Sequence, residues 1–126
     1  MRDIKFRAWD SKGIKYLYDV QTYQSYTKYD GDYWGFDVIL ISDRFIIEQF
    51  TGLKDKNGVE IYEGDILNGV SANPFSMGEV KAYEVMWGVD HWHINGTGFS
   101  MQDLFNYTNN NIEVVGNIHE NKDLLT

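Results

Sequence analysis

The sequence predicts an all-β protein, and three observations carry that prediction. Aromatic and β-branched residues dominate: 7 Phe, 4 Trp and 9 Tyr stand beside 11 Ile, 9 Val and 6 Thr, against only 3 Ala and 7 Leu. Several stretches alternate apolar and polar residues with the period of two that a half-buried strand requires. Turn residues punctuate these stretches, with 12 Gly for tight reversals and a single Pro that leaves the ladders intact. At 126 residues, 43% hydrophobic and 24% charged, the chain suits one globular domain with a core that needs no metal or disulfide.

The first predicted strand is Ile4 to Trp9, with Ile4, Phe6 and Ala8 on one face and Lys5, Arg7 and Trp9 on the other. Asp10-Ser11-Lys12-Gly13 is a turn, with Asp at its first position and Gly at its fourth, and Ile14 to Tyr18 returns as a hairpin. Residues 19–37 carry no regular period and read as a long or partly paired loop. Val38 to Ile41 and Phe45 to Phe50 read as short strands. Asn57-Gly58 supplies the positive φ of a tight turn, Glu60 to Tyr62 is a short strand, and Glu63-Gly64-Asp65 turns into a strand beginning at Ile66. A loop surrounds Pro74; Glu79 to Trp87 is the longest strand and His91 to Asn95 its return. Ser100 and Asp103 suit the cap of one short helix, Met101 to Phe105. Ile112 to Ile118 is the last strand, and Asp123 to Leu125 adds a terminal turn. Trp87, Trp92 and Ile118 are expected in the core.

Composition excludes several classes of function. The net charge is −8, which disfavours DNA and anionic membranes unless the cations cluster. There is no cysteine, so disulfides, thiolate metal sites and thiol nucleophiles are out. No apolar stretch has the length of a membrane span or a signal peptide, and the sequence predicts a soluble, cytoplasmic protein.

Three blocks resemble the YopX family of phage and prophage proteins. They are Arg2 to Asp10, Phe50 to Ile66 with its Gly52-Leu53-Lys54-Asp55-Lys56-Asn57-Gly58 core, and Val115-Gly116-Asn117-Ile118-His119-Glu120-Asn121. The resemblance implies a small all-β protein encoded by a phage or prophage, with an SH3-like barrel from about residue 50 to 126. The hairpin and a tyrosine-rich segment, about 1–49, would precede it within a single domain. It carries no catalytic or cofactor-binding residues over to this chain.

The candidate chemistry is sparse. His91 and His93 leave the same face of a predicted strand, a spacing that can ligate a metal with His119 or a carboxylate as third ligand, but no H-x-x-x-H helix, second histidine pair or cysteine supports it, and two solvent-facing histidines opposite Trp92 and Ile94 are the plainer reading. His119-Glu120 reads as a strand end rather than an acid–base pair. Asp30-Gly31-Asp32 lacks the spacing of a calcium loop, with Trp at 34 and Ile at 41. No phosphate-binding glycine loop or nucleophile elbow occurs. The sequence therefore predicts no catalytic residue, no metal and no cofactor.

Two surface features remain. Arg2, Lys5, Arg7, Lys12 and Lys15 outnumber Asp3 and Asp10, and Lys5, Arg7 and Trp9 on one face could meet phosphates and stack a base. The second is the tyrosine-rich stretch, with Tyr23, Tyr26, Tyr29, Tyr33 and Trp34 as candidate interface residues. These rings either plug the core or meet a protein partner, and their acidic surroundings disfavour nucleic acid. The reading is a non-enzymatic accessory protein acting by protein–protein contact, with a host factor or a second copy of itself. A single-strand nucleic-acid module is the alternative, and a small metal-dependent hydrolase a further one.

Overall fold

The computed structural model describes residues 4–71, 80–88, 91–94 and 112–125. The chain is predominantly β with one short α-helix and forms two compact units, one ending at Phe50 and the other starting at Thr51.

In the first unit, β1 (Phe6–Asp10) and β2 (Lys15–Tyr18) form the expected hairpin, with Ala8 opposite Leu17 and Trp9 opposite Tyr16. The start of β5 (Phe45–Lys54) adds to the other side of β1, placing Ala8 opposite Ile47 and Arg7 opposite Glu48. Alternation then sorts the faces. Ala8 and Phe45 on one face build a core with Val20 and Ile39, against which Phe6, Leu17, Tyr23, Tyr29, Trp34, Phe36 and Ile47 pack. Between β2 and β5 lie a 3₁₀ turn (Val20–Thr22) and a two-stranded ribbon of β3 (Lys28–Tyr29) and β4 (Asp32–Tyr33). Asp30 and Gly31 at its tip both take positive φ, 51° and 83°.

One predicted element is corrected here. Val38 to Ile41 is not a strand but part of α1 (Phe36–Ile41). Phe36 and Ile39, three residues apart, are the pair that meets the core. That is helical spacing; a strand would have turned Phe36 and Val38 inward together. Gly35 enters the helix in extended conformation, and Asp37 lies in its first turn, where the N-terminal partial charge favours an acid.

In the second unit, β6 (Glu60–Tyr62) pairs with β5. A second sheet has the order β10-β7-β8-β9, from β7 (Asp65–Ser71), β8 (Val80–Gly88), β9 (His91–Ile94) and β10 (Glu113–Asn117). Ile61, Leu67, Val85, Trp92 and Ile112 form its core, with Leu53 and Val114 against them. Trp92 is buried as expected; Ile118 is not, because it follows β10 in a turn and is half-exposed. The terminal turn is a 3₁₀ turn, Lys122–Leu125. The predicted helix Met101 to Phe105 and the loop around Pro74 lie outside the described residues, as do the side chains of Trp87, His91 and His93. No described helix is long and apolar enough to cross a membrane.

Candidate functional site

The residues of the three sequence blocks hold the chain in shape. Asp10, the last residue of the first block, is fully buried. Arg44 grips it with two prongs: Nε donates to Oδ1 and Nη2 to Oδ2, each at 2.8 Å. The Tyr29 hydroxyl donates to Oδ2 at 2.5 Å and the Lys12 amide to Oδ1 at 3.0 Å. Arg44 Nη2 also donates to Asp30, at the tip of the β3–β4 ribbon, at 2.8 Å. The guanidinium lies 5.2–5.7 Å from the ring centres of Phe45, Tyr29 and Trp34. The Arg44 hydrogen bond, helped by Tyr29 and against the cost of burial, holds the Asp10 carboxyl well below the usual carboxylate range. Burial, with the Asp10 hydrogen bond behind it, pushes the Tyr29 hydroxyl up to about 12. A carboxylate so fully engaged ties three segments together; it is poorly disposed to exchange protons with a substrate.

The opposite face of β1 was the candidate nucleic-acid surface. Arg7 and Trp9 there are buried. Arg7 Nε donates to Glu48 Oε1 at 2.9 Å, the Tyr16 hydroxyl donates to the same oxygen at 2.9 Å, and the guanidinium stacks 4.0 Å from the Tyr16 ring centre. Trp9 meets the Tyr16 ring edge-on at 5.0 Å. Cross-strand register makes these pairs, since Arg7 lies opposite Glu48 and Trp9 opposite Tyr16. It also withdraws the cation and the ring that would have met phosphate and base.

The central block behaves likewise. The buried Asp55 carboxylate accepts the Asn57 and Val59 amides at 2.8 and 2.9 Å on Oδ1 and the Val114 amide at 3.0 Å on Oδ2. Burial pushes this carboxyl up, but the three amides outweigh it and hold it below its ordinary value. Gly64 takes φ 86°, donating to Val85 and accepting from Ile118, while Asp65 caps the Tyr62 amide at 2.8 Å. In the last block, Asn117 Oδ1 accepts the His119 and Glu120 amides, each at 3.0 Å. Asn121 Oδ1 accepts the Asn117 amide at 3.1 Å, and a Cβ on Gly116 would lie 2.5 Å from that oxygen. His119-Glu120 is thus part of a turn after β10, as the sequence suggests. Among the described residues no group of three or more His, Asp and Glu is gathered to hold a metal.

Burial divides the five tyrosine-segment residues. Tyr23, Tyr29 and Trp34 pack against the core of the first unit, and Trp34 Nε1 donates to the Tyr29 carbonyl at 3.1 Å. Tyr26 and Tyr33 stand 75% and 63% exposed. Tyr26 is at the tip of a turn closed by the Thr27 amide on the Gln24 carbonyl, and Trp34 donates back to Thr27 at 2.7 Å. Both exposed tyrosines lie in the segment that leads into α1. Three apolar residues of α1 face solvent beside the exposed Asp37: Val38, Leu40 and Ile41, the last 83% exposed. Ile14, at the β1–β2 hairpin tip, is 63% exposed and takes φ 56°. The sequence reading missed the exposed residues of α1, because it assigned them to a strand, and missed Ile14, because it placed that residue at the start of one.

The YopX protein family matches this chain over residues 5–126. The structure is similar to the crystal structure of protein EF1440 from Enterococcus faecalis, with a TM-score of 0.70, 27% sequence identity and all of both chains covered. No curated protein matches it. The match runs over nearly the whole chain and takes in both units, and this chain belongs to the YopX family.

Proposed function

We propose that this protein is a non-enzymatic binding module, encoded by a phage or prophage, that works in the bacterial cytoplasm through protein–protein contact. The observation that carries the reading is the exposure of Val38, Leu40 and Ile41 on α1 together with that of Tyr26 and Tyr33 in the segment leading into it. A soluble domain gains nothing in stability from such groups, and exposed aromatics and aliphatics set together mark interaction surfaces. The burial of Arg7 and Trp9 speaks against the nucleic-acid alternative. Full internal use of Asp10 and Asp55 speaks against acid–base roles for those two carboxylates. The β10-β7-β8-β9 sheet supports, as part of the same proposal, an SH3-like barrel for the second unit.

The test is capture of partners from bacterial lysate by the wild type and by a Tyr26→Ser, Tyr33→Ser, Ile41→Ser variant. The wild type should retain partners that the variant loses. Identical partners for both would remove this surface from the reading.

A further inference from the structure

We infer that two copies of this chain associate by a two-fold exchange. The β1–β2 hairpin tip of each, Lys12, Ile14 and Lys15, seats on the outer face of the other's α1. Val38, Leu40 and Ile41 receive Ile14, and Asp37 and Asp43 receive the lysines. The inference rests on the protein-contact reading and names the partner.

The first observation is backbone strain. A β-branched residue at positive φ is an outlier, because its Cβ crowds the following carbonyl. Ile14 takes φ 56° to close the hairpin, where its amide donates to the Asp10 carbonyl at 2.8 Å. Glycine is the relaxed residue for that conformation. The preceding residue, Gly13, is a glycine for another reason: a Cβ there would lie 2.6 Å from Asp10 Oδ2. Ile14 is thus strained without burying its side chain in the isolated chain. Strain held at an exposed position points to a contact made elsewhere.

The second observation is chemical complementarity. Lys12 and Lys15 are exposed on either side of Ile14, and Lys12 is held only loosely, 4.0 Å from Asp30. Asp37 and Asp43 are exposed at either end of the apolar α1 face. An apolar knob between cations therefore matches an apolar face between anions, and such pairing sets register as well as rate of association.

The third is adjacency. The Ser11 amide and hydroxyl both donate to the Arg44 carbonyl, at 2.9 and 2.7 Å. Ser11 opens the hairpin tip and Arg44 lies three residues beyond the end of α1, so both surfaces border one another on the same copy. A two-fold axis can then make both contacts at once, as an isologous dimer requires.

The experiment is sedimentation velocity on the full chain across a dilution series. The tip variant is Lys12→Glu, Lys15→Glu and the helix variant is Asp37→Lys, Asp43→Lys. The wild type should be a reversible dimer, and each variant alone should dissociate roughly tenfold or more readily, since like charges then face each other. An equimolar mixture of the two should dimerise again, because each reversed surface meets its reversed complement. Restoration also shows that both variants are folded. Ile14→Gly and Ile41→Ser leave every charge in place and should weaken the dimer too. A wild type monomeric at every concentration, a dimer indifferent to these changes, or a mixture that stays monomeric would overturn the exchange. If the wild type is monomeric but Ile41→Ser loses a partner captured from lysate, the exchange fails and the protein-contact reading survives. If captured partners are also unchanged, both fail.

Discussion

Asp10 and Arg44, 34 residues apart in sequence, meet in a two-pronged ion pair with both N–O distances at 2.8 Å. The pair ties the β1–β2 turn to the loop after α1, and Tyr29 and Asp30 bring in the β3–β4 ribbon. Three segments of the first unit depend on one carboxylate.

Asp10→Asn should therefore destabilise the protein by about 3 kcal/mol, the cost of leaving charged and buried donors with a poorer acceptor. Urea unfolding measures it. The sign with pH follows from the lowered carboxyl. Its stabilising effect is complete above the ordinary carboxylate value, about 4, and is lost as pH falls from there towards the depressed folded value. The wild type should lose stability below about pH 4 more steeply than Asp10→Asn. Equal slopes would show that Asp10 is not the group responsible.

Tyr29 gives the opposite limb. Its hydroxyl is raised from 10.0 to about 12, so the folded state favours the protonated phenol. The stabilisation is complete below pH 10 and is lost as pH rises from 10 towards 12. In alkaline unfolding titrations, Tyr29→Phe should show a shallower decline than the wild type. Coincident declines would count against the Tyr29–Asp10 hydrogen bond.

Asp55→Ala removes the acceptor of three backbone amides at once. It should cost about 3 kcal/mol, since buried donors left without partners carry their full desolvation penalty. Hydrogen exchange gives a sharper readout. The Val114 amide, 59 residues away in sequence, should exchange much faster in the variant; unchanged protection there would remove Asp55 from the account.

Ile14→Gly relieves a left-handed β-branched residue while removing little buried surface. The relief of roughly 1–2 kcal/mol exceeds the added flexibility of glycine in the unfolded chain, so the monomer should gain up to about 1 kcal/mol. Thermal unfolding at high dilution checks this, and a lower melting temperature would contradict it.

Much of the fold was legible because strands advertise themselves locally. The β1–β2 hairpin shows its alternation and its turn, and Asn57-Gly58 and Glu63-Gly64-Asp65 announce reversals that the structure contains. The helix α1 was not legible. Val38 to Ile41 is a four-residue aliphatic run, and such a run has no period of its own. What decides it is Phe36 and Ile39 meeting the core three residues apart, which is tertiary information. Which tyrosines turn inward was not legible for a related reason. Tyr23, Tyr29 and Trp34 turn inward through a 3₁₀ turn and a two-residue ribbon, each bend resetting the phase, so no single period describes them. Arg44 was invisible because nothing near it in sequence distinguishes it from any surface arginine. Its partner is fixed only when β1 meets β5.

That last dependence has a kinetic consequence. Asp10 is opposite Phe45 at the end of the β1–β5 ladder, and Arg44 immediately precedes Phe45. The guanidinium reaches the carboxylate only after that register is set and the loop between them is closed, so loop-closure entropy is met before the ion pair contributes. The ion pair should then be absent from the folding transition state and should act as a latch on the finished structure. In stopped-flow experiments Asp10→Asn should refold at nearly the wild-type rate and unfold about a hundredfold faster, the equivalent of about 3 kcal/mol placed wholly on the unfolding limb. Refolding slowed by the same factor would place the latch in the nucleus instead. A protein built this way is long-lived once formed, without having been quick to form.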